Sequence, residues 1–208
     1  FIIVLSTSLI GELEWAERGG HVLYPKDLSF AAYEILFGKS YVLFNAYQVT
    51  FFRVTLGTFC NMIFTTSLAY ALAQKDSPGR VPLTFLVFFT MIFNGGLIPH
   101  FLLVDFLNLR NTIVALFVPT LINGWYLLIM RNFFMKIPRD LVDAAIIDGA
   151  SPFKILVNVV LPLSMPVIAT ISLFYAVYHW NEWFYASIYI SENDMKPMQI
   201  ILRGLLNQ

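Results

Sequence analysis

Four stretches of this chain run about the width of a bilayer without one charged side chain. No charge falls between Arg53 and Lys75; 24 uncharged residues separate Arg80 from Asp105, 20 separate Arg110 from Arg131, and 27 separate Lys154 from Glu182. A spanning helix needs about 20 mostly apolar residues to cross roughly 30 Å of hydrocarbon. A soluble fold can bury one such helix in its core, hardly four in 208 residues. Unpaired backbone is too costly in lipid for open sheets, so the stretches read as helices. Composition agrees: 58% of residues are apolar and 12% charged, against about 25% charged in soluble domains. The chain is expected to be an all-α, polytopic integral membrane protein.

The formal net charge is zero, so nothing points to a nucleic-acid partner. Cys60 is the sole cysteine; it cannot form an internal disulfide or a cysteine metal site, and reads as a small packing residue. Residues 1–10 are apolar and too short to span. No basic segment precedes them and no small-residue cleavage site follows, so they read as the last turns of a spanning helix rather than a signal peptide. Residues 198–208 are apolar with one charge, Arg203. The expectation is a single transmembrane unit over residues 1–208, truncated at both ends: the tail of one span plus four full spans.

The full spans are expected at residues 47–74, 81–104, 112–134 and 163–190. A polar loop is expected over 11–46, with turns around Pro78-Gly79, at 107–111 and at 191–197. Alternation puts Lys75, Arg80, Arg131, Lys136, Arg139 and Lys154 on one side, in short segments. Basic residues in short loops favour the cytoplasm, so the 136–160 stretch is read as cytoplasmic.

That stretch carries the most information. Pro138 suits the first position of a helix of under three turns, and Gly149 suits the left-handed residue closing it. Ser151-Pro152 reads as an N-cap and first-position proline that start a second helix at a new angle. Leu161-Pro162 ends or kinks that helix just before the next span. By itself this is a structured elbow, or an interfacial helix lying on lipid.

Asp143-Ala144-Ala145-Ile-Ile-Asp148-Gly149, followed after a gap by Leu161-Pro162, resembles the loop motif of ABC importer permeases: Glu-Ala-Ala, three residues, Gly, then a distal Leu-Pro. Here Asp143 replaces the usual Glu, keeping the carboxylate with a shorter reach. Phe93-Asn94-Gly95-Gly96-Leu-Ile-Pro99, Asn111-Thr112, Arg131-Asn-Phe-Phe134 and Trp180-Asn181-Glu182-Trp183-Phe184 resemble the carbohydrate branch, nearest to the second permease of maltose- and oligosaccharide-type systems. The resemblance covers the chain from about residue 20 onward.

It implies a helical bundle of the type I importer permease kind in the plasma or inner membrane. The chain would be a transport subunit rather than an enzyme, with no catalytic residues. Asp143, Ala144, Ala145, Asp148, Gly149, Ala150, Leu161 and Pro162 would couple to separate ATP-binding subunits. No cofactor is expected on this chain; ATP and Mg would sit on the partner ATPase. The other implied partners are a second permease, an extracytoplasmic solute-binding protein, the lipid bilayer and a carbohydrate cargo. Gly38-Lys39-Ser40 ends like a phosphate-binding loop, but Tyr33 stands where that motif needs glycine.

Polar residues within the spans leave alternatives open. His179 and Glu182, at i and i+3, read as packing groups, as lining of a substrate path or as a proton relay; one His and one acid are too few for a zinc site, and no metal site is expected. Asn94, Gly95 and Gly96 either kink their span or unwind it to line a cavity. With Asn181 and Glu182 they form the candidate substrate pathway. Trp180 and Trp183 suit an interfacial belt or stacking on sugar rings. A secondary transporter or channel built on His179 and Glu182 is the alternative to the importer permease.

Overall fold

The computed structural model describes residues 1–19, 22–38, 40–75 and 77–206, and every regular element among them is helical. Three short helices come first, α1 (Ile2–Ser8), α2 (Glu12–Arg18) and α3 (Ala31–Gly38). The segment expected as a polar loop thus holds two helices. Polarity hid the first: α2 is stabilised locally by the Glu14–Arg18 pair one helical turn apart. Lys39, in the rejected phosphate-loop pattern, lies outside the described residues.

Helix α4 (Ser40–Ala73) has 34 residues, roughly 50 Å at about 1.5 Å per residue. It begins seven residues before its expected start at residue 47, and among the described residues it alone contains an unbroken helix long and apolar enough to cross a membrane. The other expected spans are all bent. α5 (Arg80–Ile92) and α6 (Leu97–Phe106) meet at 119°. Two 3-10 turns, Ile113–Leu116 and Val118–Thr120, meet α7 (Gly124–Phe134) at 58°. The elbow follows: α8 (Arg139–Ile147), α9 (Pro152–Ile155), a π-helical turn (Leu156–Val160) and α10 (Leu161–Leu163). It meets α11 (Met165–Asn181) at 86°. The chain then continues through α12 (Phe184–Tyr189), a 3-10 turn (Asn193–Met195) and α13 (Met198–Leu206). Counting each bent pair as one span gives up to four spans.

Two of the breaks have a local cause. At residues 93–96 the Asn94 side chain accepts a hydrogen bond from Gly96 N at 2.9 Å, and Gly96 sits at φ 87°. That local bond competes with the helical ladder, and glycine tolerates the left-handed backbone. The break expected at Leu161-Pro162 falls two residues later, at Ser164. The wider π-helical turn just before Pro162 carries the helix past a residue that has no N–H to donate. The single span expected over 163–190 also divides, at Glu182 and Trp183.

One face of α4 organises the bundle. Thr50, Arg53, Gly57, Asn61, Thr65, Ala69 and Leu72 recur every three or four residues and are buried, the spacing of a single helical stripe. The matching stripe on α11 is Val167, Ile171, Tyr175 and His179. The two helices approach closely at Gly57, where an added Cβ would lie 2.7 Å from the His179 ring. Small residues at crossings serve this purpose in membranes, where packing rather than water exclusion drives association. Toward the elbow end the interface is apolar: Ala69, Leu72, Leu127, Met130, Phe134, Ile155, Val160 and Ile171 form one core.

Candidate functional site

The elbow is built as its residues suggest. Ala150 N donates to Ala145 O at 2.9 Å and Gly149 N to Ile146 O at 3.0 Å, with Gly149 at φ 77°. This is the paired hydrogen bonding that ends a helix through a left-handed residue. Ser151 then caps α9, accepting from Lys154 N. Pro138 lies one residue earlier than expected, as the N-cap of α8 rather than its first helical residue.

The two faces of α8 differ. Asp143, Ala144, Asp148 and Gly149 are exposed, and so are Leu141, Ile146 and Ile147, the last at 86%. Ala145, Ala150 and Leu161 pack against the bundle core, while Pro162 is exposed. Ile155, Leu156 and Val160 are fully in that core. The elbow is therefore fastened to α4, α7 and α11 on one side and presents unpartnered apolar surface on the other. Asp143 also borders a groove of about 160 Å³ with Tyr70, Gln74, Lys75 and Arg139.

A second constellation lies where the spans break. Arg53 of α4, with 1% of its side chain exposed, forms an ion pair with Glu182 and also donates to the Glu182 carbonyl. Glu182 holds Tyr185 N with its other carboxylate oxygen, at 2.6 Å. One guanidinium thus satisfies backbone that the α11–α12 break sets free. Asn61 does the same for the turn before α7, donating to Thr120 O at 2.8 Å, while its Oδ1 lies 3.1 Å from His179 Nε2. Tyr175 Oη lies 2.8 Å from Thr65 Oγ1 and accepts from Asn123 N at 3.0 Å. Freed polar groups at membrane depth need such partners.

These breaks surround a cavity of about 220 Å³ whose walls include Arg53, Asn94, His100, Tyr178, Glu182 and Tyr185. Of the candidate pathway residues, Asn94 and Glu182 line it. Gly95 and Gly96 form the adjacent break. Asn181 lines a second, open groove with Tyr126, Leu173 and Phe174, and Tyr178 and Glu182 border both. His179 and Glu182 are each held by a different residue of α4. Trp180 is half exposed, edge-on to Tyr47, and Trp183 lies under the Arg203 guanidinium at 3.5 Å.

Arg53 is the residue that sequence reading missed. It served only as the edge of an uncharged run, although Tyr41-Val42-Leu43-Phe44 upstream already signalled that the helix starts earlier. His100, Tyr178 and Tyr185 carried no motif and meet only in the folded chain.

Comparison with known proteins bears on both constellations. The family model for binding-protein-dependent transport system inner membrane components matches residues 43–207, which include them. The chain is 42% identical over 206 residues to the polygalacturonan/rhamnogalacturonan transport system permease protein YtcP of Bacillus subtilis (strain 168), covering 99% of this chain and 71% of that protein. It is 40% identical over 203 residues to Protein LplC of the same organism, covering 98% and 68%. Among solved structures, a chain of a bacterial ABC transporter involved in the import of the acidic polysaccharide alginate superposes with a TM-score of 0.91 at 32% identity, over 98% of this chain and 72% of that one. The chain therefore belongs to the inner membrane components of binding-protein-dependent transport systems and is a membrane-embedded transport subunit with the fold of a type I ABC importer permease.

Proposed function

We propose that this chain forms, with a second permease, the translocation path of an ATP-driven carbohydrate importer, and that its elbow transmits the motion of separate ATPase subunits. Permeases of this family work with ATPase, permease and binding-protein partners, and the chain is a carbohydrate-import permease subunit. The finer reading assigns the exposed face of α8, with Asp143, Ala144, Asp148 and Gly149, to the ATPase. Ala145, Ala150 and Leu161 hold that face to the bundle, and Pro162 stands at the turn toward α11. ATP and Mg bind the partner, and this chain binds neither.

The single observation that carries the proposal is the two-faced elbow. Its inner side belongs to the core of α4, α7 and α11, while its outer side exposes Leu141, Ile146 and Ile147. Packed interiors transmit displacement rather than absorb it. A shift of α8 would therefore move the spans as a unit, opening and closing the path near Asn94, Gly95, Gly96, Asn181 and Glu182. The cargo is an oligosaccharide, and the polygalacturonan/rhamnogalacturonan transport relative and the alginate importer favour an acidic one.

Uptake of labelled galacturonate oligomers into vesicles containing the full system tests this. Uptake should require ATP inside and the ATPase subunit. Uptake driven by an ion gradient, with the ATPase absent, would instead support the secondary transporter, for which the buried Arg53–Glu182 pair leaves no free proton carrier at Glu182.

A further inference from the structure

The cavity at the helix breaks has a chemistry of its own. At about 220 Å³ it falls below the roughly 300–1,000 Å³ of sites that enclose drug-sized ligands, so it admits one sugar ring rather than a chain. Its walls bring Tyr178, Tyr185 and Tyr189 together with Asn94, Thr120 and His100. Aromatic bodies with a few convergent polar groups are what an amphipathic ring requires. Arg53 also lies on the wall, with its guanidinium committed to Glu182.

Charge decides which part of a sugar fits. Arg53 and Glu182 neutralise each other, and among the described residues no other acid, lysine or arginine lines the walls. A sugar carboxylate placed there would be a third, uncompensated charge in a low-dielectric site, which is strongly disfavoured. Hydroxyls meet no such penalty.

We propose that this cavity is a single-ring saccharide subsite that takes the uncharged, hydroxyl-bearing edge of the cargo, with Asn94, Thr120 and His100 as its polar contacts. The inference rests on the carbohydrate reading above. It adds that any preference for acidic cargo is exerted elsewhere in the importer.

The test uses the complete importer, with its partner permease, ATPase and binding protein, held in one state by ATP and orthovanadate. His100→Cys is introduced in a Cys60→Ser background and its rate of modification by a small methanethiosulfonate reagent is followed. The probes are an α-1,4-linked galacturonate trimer and its carboxyl-reduced, neutral counterpart. Both should slow modification at least fivefold, while Asp194→Cys, outside the cavity, should react at an unchanged rate. Asn94→Cys on the same wall gives the same readout if His100→Cys does not assemble. An importer that takes up the trimer yet shows no protection at either position overturns the subsite and leaves the carbohydrate reading intact. Protection by the charged trimer alone overturns the charge argument. Failure of the unmodified importer to take up either trimer or raffinose removes the carbohydrate reading and the subsite with it.

Discussion

Arg53 and Glu182 hold α4 against the point where α11 gives way to α12, and among the described residues neither forms a second ion pair. Removing one partner of a buried pair leaves the other uncompensated, at about 3–5 kcal/mol. Arg53→Gln should therefore lower thermal stability in detergent far more than Arg53→Met combined with Glu182→Met, which a melting series would show. Gly57 faces the His179 ring at a distance no Cβ tolerates. Gly57→Leu should cost about 1–3 kcal/mol through overpacking, seen as a lower midpoint of thermal unfolding. Outside the membrane, Glu14 accepts hydrogen bonds from Lys26 N and Asp27 N and pairs with Arg18. The Lys26 N–H in particular holds its carboxyl below the ordinary 4.5. A depressed carboxyl contributes order that is fully present above 4.5 and is lost as pH falls through the lowered value. Amide exchange at Lys26 and Asp27 should stay slow to below pH 4.5 and then accelerate, and Glu14→Gln should remove that dependence.

At the scale of elements, the elbow was legible because its signals are local. Gly149, Ser151 and Pro152 each specify a backbone conformation by their own covalent structure, and each takes the expected role. Pro138 differed by one residue because proline also suits the position preceding a helix. The broken spans were less legible. Asn94-Gly95-Gly96 is compatible with a kinked helix or an open break, and the open form appears because the Asn94 side chain takes the Gly96 N–H in place of the helical ladder. The division at Glu182 had no local signal, since Trp180 to Phe184 contains no Gly or Pro; the guanidinium from α4 makes it tolerable. Gly149→Val places a branched side chain at φ 77°, a strain of about 1–2 kcal/mol. It should lower ATP-dependent uptake while the variant still assembles in the membrane, measured by transport per unit of purified protein.

Over the whole molecule, the apolar runs announced a helical membrane protein, and the spacing of Asp143, Gly149 and Pro162 announced its family. What stayed hidden is how the helices meet: the α4 stripe from Thr50 to Leu72 is polar at one end and apolar at the other. The polar end fastens the breaks around the cavity, and the apolar end fastens the elbow to the spans. On the function proposed above, this continuity would let an event at α8 reach the cavity through packed contacts rather than through a loop. The most direct measurement of that claim is crosslinking from single cysteines at Ala144 and Ile147, on the exposed face of α8, in the assembled importer. Both positions should crosslink to the ATPase subunit, with yields that change when ATP binds, while a cysteine at the inward-packed Ala145 should not. Absence of ATPase crosslinks at Ala144 and Ile147, with modification only by lipid-soluble reagents, would contradict the account and make α8 a helix lying on the bilayer.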